Sequence, residues 1–237
     1  MENIAKIRRN DGWYNFIKPD GTFLSTERFC WADEFWEGFA VVQREDTLYN
    51  FLKPDGTFLS AEWFWEVWNF CEGFAQVQRK DGMCNLIKPD GTFLSKEWFL
   101  DVGDFHEGFA IVQRKDGMCN YIKPDGSFLN EERFKRAWNF RKGIARVQRR
   151  DGWYNFLKPD GTFLSSEWFY YARNFSEGLA TFQRQNGLYN FIKSDGTFLS
   201  KEWFKHASDF WNGFAVVQRK NGCLYKLAAD GRLRKVK

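Results

Sequence analysis

The chain repeats itself every 35 residues, with no insertion or deletion from Asp11 to Lys220. The stretch DGWYNFIKPDGTFLS at 11–25 returns with few changes at 46, 81, 116, 151 and 186. A fixed period of this length marks an array in which one supersecondary unit stacks on its copies. The expected organisation is a single repeat domain over 1–237, with a first strand or cap at 1–10, six repeats over 11–220 and a basic capping unit at 221–237.

Within the unit at 46–80, three strands can be read. The run at 74–79 alternates, with Ala75 and Val77 on one face and Phe74, Gln76 and Gln78 on the other. The Asp81-Gly82 pair that follows predicts a hairpin with a type I′ turn. Asp46-Thr47 lacks the glycine, so that turn should be the least comfortable. The run at 48–53 is apolar on both faces and reads as a buried strand. Lys53-Pro54-Asp55-Gly56 is a turn with Pro at its second and Gly at its fourth position. The third expected strand is 57–60, and the connector at 60–73 is expected to be irregular, plugging the core with Phe64 and Phe70. The fold class is therefore all-β, each repeat a three-stranded antiparallel meander.

These residues resemble the WG repeats of bacterial and phage proteins. The resemblance is carried by F-x-E-G-F-A-x-V over 70–77, then Y-N-F-I/L, then D-G, then W-F before the next V-x-x-F. The Trp/Tyr-Gly pair that gives the family its name is here Tyr-Asn, as in Tyr14-Asn15 and Tyr49-Asn50, and Cys-Asn in two units. The resemblance implies tandem β-repeats with an interaction role and supplies no catalytic residues. An open superhelical array is expected, with a closed seven-bladed β-propeller, whose connectors would donate inner strands, as the alternative. The ends favour the open form. Arg232, Arg234, Lys235 and Lys237 on the final strand suit an exposed edge, and Lys6 and Asn3 mark the first strand as a cap.

Three kinds of position then separate. Asn15, Asn50, Asn85, Asn120, Asn155 and Asn190 sit among apolar neighbours and are expected to be buried, bonded to the backbone of the next unit. The repeated Arg44 and Glu27 positions are expected to pair and stitch neighbours, a ring of arginines for an anionic ligand being the other possibility. Four connector columns instead hold every chemical class, headed by Cys30, Trp31, Asp33 and Trp36. Eight of their twenty-four residues are Trp or Tyr, more than an unconstrained surface exposes. The candidate binding residues are Trp65 and Tyr170 in the first column, and Trp31, Arg136, Tyr171 and His206 in the second. Trp68, Trp138 and Arg173 come from the third, and Trp36, Arg141 and Trp211 from the fourth.

No catalytic role is expected: His106 and His206 stand in different columns, and no nucleophile elbow, phosphate loop or metal-ligand spacing occurs. No cofactor or metal is expected either. A net charge of +4 from 35 basic and 31 acidic residues argues against nucleic acid. Five cysteines without a pairing pattern suggest free thiols and a cytoplasmic protein, and no apolar run suits a signal peptide or membrane span. A protein partner is the first expectation, with an aromatic- or arginine-lined site for a carbohydrate or nucleotide as the alternative.

Overall fold

A computed structural model describes residues 4–236. Asn3 and Lys237, two of the residues assigned to the caps above, lie outside them. Among the described residues the secondary structure is strand, turn and bridge, without helix. The chain divides into two compact units, the first reaching Gly117 with Ile122–Ser127, the second holding Met118–Tyr121 and the chain from Phe128 onward.

The first unit begins with the pair Ala5–Arg8 and Tyr14–Ile17. It continues with the sheet Trp31–Ala32, Ala40–Gln43, Tyr49–Leu52 and its copy Glu66–Val67, Ala75–Gln78, Cys84–Ile87. Asp101–His106 then pairs with Phe109–Gln113. The second unit has the sheets Arg136–Ala137, Ala145–Gln148, Tyr154–Leu157 and Tyr171–Ala172, Leu179–Gln183, Tyr189–Lys193. Its last sheet has four strands: His206–Ala207, Phe214–Gln218, Leu224–Ala228 and Leu233–Lys235. The array of antiparallel meanders is as the period implied.

The membership of each meander differs from the sequence reading. The connector donates the first strand of the next sheet, a role expected only in the ring alternative. The segment 57–60 makes a single bridge, Leu52 to Phe58, rather than a strand. The buried asparagine accounts for this. Asn50 Nδ2 donates to the carbonyls of Ser60 and Glu62 at 2.8 and 3.2 Å, and its Oδ1 accepts from Phe51 N–H. The amide thus pulls the chain inward just where a third strand would run on. The last copy has Tyr225 in place of Asn, and there Leu233–Lys235 does pair as a strand. The amides are buried as expected, but they bond within their own repeat, not to the next.

Within each unit neighbouring sheets share hydrophobic clusters. In the first unit Val41 and Phe51 of one sheet share a cluster with Ala75, Val77 and Ile87 of the next, together with Phe64 and Phe70 of the connector. Phe64 and Phe70 are buried plugs, as expected. The stack is close at the Asp-Gly turns: a Cβ on Gly91 would lie 2.3 Å from the Leu59 carbonyl oxygen of the preceding repeat.

The turns also differ from expectation. In 79–83, Gly82 N–H donates to Arg79 O at 2.9 Å, Arg79 N–H to Met83 O at 2.9 Å, and only Gly82 has positive φ. This is a three-residue type I loop closed by a left-handed glycine, not type I′. Thr47 is forced to φ 68° where the other copies have glycine, so that turn is indeed strained. The type I′ turn of each repeat is the pair that is Glu-Gly in four copies, Lys142-Gly143 and Asn212-Gly213 in the others: Glu72 and Gly73 have φ of 50° and 81°, between Cys71 and Phe74, which exchange both backbone hydrogen bonds.

Candidate functional site

Each connector runs along one edge of its sheet, because its strand stands at the end of the strand order and pairs with the strand equivalent to Ala40–Gln43. Trp31 lies opposite Gln43, and Ala32 opposite Val42. The first column flanks this pair: Trp65 N–H donates to Gln78 O at 2.8 Å. The fourth column closes the other end of the edge, bridging across the Glu-Gly turn as Trp36 does to Phe39. Backbone hydrogen bonds recur at these positions whatever the side chain, which is why the side chains are free to differ.

Their side chains separate into exposed and half-buried sets. Trp211, Trp36 and Tyr170 are the most open, 72, 60 and 58% exposed, and Trp65 is also exposed. Arg136 is exposed opposite Gln148. His206, exposed opposite Gln218, has its ring 6.4 Å from that of Tyr189. Trp31 and Trp68 line one open cleft with Val41, Tyr49 and Glu66, the Trp31 ring standing edge-on to Tyr49 at 6.3 Å. Tyr170, Tyr171 and Arg173 line another with Trp153 and Tyr189, and Arg173 is paired with Asp209 at 2.9 Å. Trp138 departs from its expected exposure. It is half-buried because the Arg146 guanidinium lies 3.8 Å from its ring, and Arg141 lines the same cavity. The third column is therefore partly the wall of the gap between sheets.

The repeated arginines do not form a free ring. Arg79, Arg114, Arg184 and Arg219 pair with Glu62, Glu97, Glu167 and Glu202, seventeen residues earlier and within one repeat. Arg44 and Arg149 turn instead to Asp46 and Asp151. The stitch between neighbours is made by ring stacking: Arg44 lies over Trp63, Arg79 over Trp98 and Arg184 over Trp203, at 3.6–4.0 Å. Every one of these cations is thus already balanced.

The sequence reading missed a fifth variable column, Lys6, Val41, Gln76, Ile111, Arg146, Thr181 and Val216. Its signal lay in the same comparison of copies, hidden because strand alternation assigned it to one face without distinguishing it from its neighbours. Lys6 belongs to it. It contacts Glu34 and the Ala32 carbonyl of the following repeat, tying one sheet to the next where an edge-protecting role was expected. At the other end, Arg234 and Lys235 are exposed on the terminal strand of the last sheet.

The described residues hold no group of three or more His, Cys, Asp or Glu side chains placed for a metal, and no helix long and apolar enough to cross a membrane. Residues 121–153 match the family described as the WG containing repeat. No curated protein matches the chain. Among solved structures, the chain is similar to the computationally designed Ika8 protein at 14% identity and a TM-score of 0.37, over 99% of this chain and 84% of that one. It is similar to BamB from Moraxella catarrhalis at 10% identity and 0.33, over 93% and 80%. The WD40 beta propeller domain of Doa1 follows at 13% and 0.30, over 98% and 88%. None of these likenesses defines the fold more finely than the sheets described above. The matched segment runs from the buried Tyr121 through one connector to Trp153, so over this one repeat length the chain is similar to the WG containing repeat.

Proposed function

We propose that this chain is a non-catalytic, cytoplasmic scaffold that binds a partner protein through its connector edges. One observation carries the reading. Of the twelve large hydrophobic side chains exposed among the described residues, eight fall in the four variable columns: Trp31, Trp36, Trp65, Trp68, Leu100, Tyr170, Tyr171 and Trp211. Exposed aromatic area costs solubility, and Trp and Tyr are the residues that dominate interface energetics. Antiparallel sheets hold these side chains in order before a partner arrives, which lowers the entropy lost on association. The pairing of the repeated arginines speaks against both the arginine-lined ligand site and nucleic acid. The cleft of Trp153, Tyr170, Tyr171 and Tyr189 keeps a carbohydrate as the second reading.

Capture from a native lysate tests this, using the full chain and its Trp65→Ser/Tyr170→Ser variant side by side, with a glycan array as a separate arm. A protein retained by the wild type and lost by the variant supports the proposal. Glycan binding without any such protein would replace it with the second reading.

A further inference from the structure

Lys6, Gln76, Arg146 and Thr181 of the fifth column reach from their strands to the connector of the following repeat. Where the column's residue is polar, that connector supplies a carboxylate. Lys6 Nζ lies 3.2 Å from Glu34, Gln76 Nε2 donates to Asp104 at 2.8 Å, and Thr181 Oγ1 donates to Asp209 at 3.1 Å. Arg146 is the exception. The matching position holds the neutral Asn174, although Arg146 is the member most in need of an anion.

Arg146 Nη1 donates to the Ala172 carbonyl at 2.8 Å, and its guanidinium stacks on Trp138 at 3.8 Å. Its Nε–H is buried without an acceptor among the described residues. Burial holds the group below the ordinary arginine value, and the nearby Arg136 adds like charge. Beside it opens a cavity of about 150 Å³, whose lining includes Trp138, Asn139, Arg141 and Asn174. The polar groups named there are two guanidinium groups and two amides, with no carboxylate. The space suits a group of a few heavy atoms and falls well short of the roughly 300 Å³ at which drug-sized ligands begin.

The chain itself shows what this edge of an arginine takes. Nε and Nη2 of Arg79, Arg184 and Arg219 hold the carboxylates of Glu62, Glu167 and Glu202 at 2.5–3.0 Å. That two-pronged grip is among the stronger hydrogen-bonding arrangements in proteins. Of the two guanidinium groups, Arg141 is exposed to solvent and only Arg146 is half-buried, so the charge that needs a partner inside the cavity is one, which favours a carboxylate over a phosphate dianion.

We propose that Arg146, flanked by Arg141, Asn139 and Asn174, binds one carboxylate group, carried by a small free acid or by an acidic side chain of a peptide. This stands apart from the docking reading, since it concerns a cavity and not the exposed aromatics. The test follows arginine Nε–H resonances of the full-length, ¹⁵N-arginine-labelled protein during titration with acetate, N-acetylglutamic α-amide, inorganic phosphate and acetamide. Acetate should shift one resonance that is missing in Arg146→Gln, a variant expected to fold because Gln76 fills the same position elsewhere. Asn174→Asp supplies the carboxylate from within, so it should weaken acetate binding about tenfold or more and raise the melting temperature. Binding of the glutamic amide alongside acetate assigns peptide-borne acids to the site, and acetate binding alone assigns small free acids. The proposal is overturned if wild type shows no acetate-dependent shift, if Arg146→Gln shows the same shift, if phosphate or acetamide binds more tightly than acetate, or if Asn174→Asp binds acetate as wild type does.

Discussion

Gly91→Ala tests how the repeats are held together, and Gly21→Ala is its matched control. Both glycines occupy the same turn position, with φ of +83° and +81°. An alanine at either site meets the same left-handed backbone cost, about 1–2 kcal/mol. Their surroundings differ. The added Cβ at 91 would lie 2.3 Å from Leu59 O, whereas at 21 it meets nothing within 4 Å. Relieving the first contact means lifting the turn off the preceding repeat by about an ångström, which loosens Leu59 and Ile87 in their shared cluster. Overpacking of this kind costs typically ~1–3 kcal/mol. Gly91→Ala should therefore lose about 2–5 kcal/mol in total, and Gly21→Ala about 1–2. Gly231→Ala, with its Cβ 3.3 Å from Leu199 O, should fall between them. Urea unfolding with unchanged slope provides the comparison. Equal losses at 91 and 21 would refute close backbone stacking as the bond between repeats.

Four further outcomes follow. Thr47→Gly relieves the one non-glycine left-handed residue at the turn position that is Gly82 in the next copy and should stabilise the protein by about 1 kcal/mol by thermal melting. Asn85→Ala leaves the Ser95 and Glu97 carbonyls without their donor and should cost on the order of 1–3 kcal/mol in urea unfolding. Trp65→Ser should stay within ~1 kcal/mol of wild type, whereas Trp138→Ser removes the stack on Arg146 and should cost up to about 2 kcal/mol, separable by calorimetry. For pH, hydrogen bonds from Thr22, first from its hydroxyl and then from its N–H, hold the Asp20 carboxyl below its usual range, as the equivalent threonines do for Asp55, Asp90, Asp160 and Asp195. A depressed folded value gives stability that is complete above the unfolded value near pH 4 and lost as pH falls through the folded one, so melting temperature should drop below about pH 4. A melting temperature that is flat between pH 5 and about 2.5 would contradict it.

The period, the plugging by Phe64 and Phe70 and the burial of the asparagines were legible because burial is written in side-chain type and spacing. Strand membership was not. The short strand at Trp31–Ala32 is held by backbone bonds that accept any side chain, so its composition carries no strand signal. The Glu-Gly turn was hidden because glutamate is an unusual left-handed residue, although Asn212 in the last copy pointed to it. An Asp-Gly pair serves both hairpin types, and counting Lys80 into the loop decides between them. At the candidate site, exposure was foreseen for Trp36, Trp65, Tyr170 and Trp211, whose backbone positions leave the side chains outside the stack. Trp138 could not be foreseen, because what covers it is Arg146, a residue of the column that alternation had concealed.

On the proposed reading, what the copies share builds the scaffold, and what they do not share binds the partner. The direct measurement is the affinity of a partner captured by wild type for a variant carrying Ser at Trp36, Trp65, Tyr170 and Trp211, with both proteins melted in parallel. The melting temperatures should agree closely, and binding should weaken by ~2 kcal/mol or more, about 30-fold. Undiminished affinity in a fully folded variant would contradict the account.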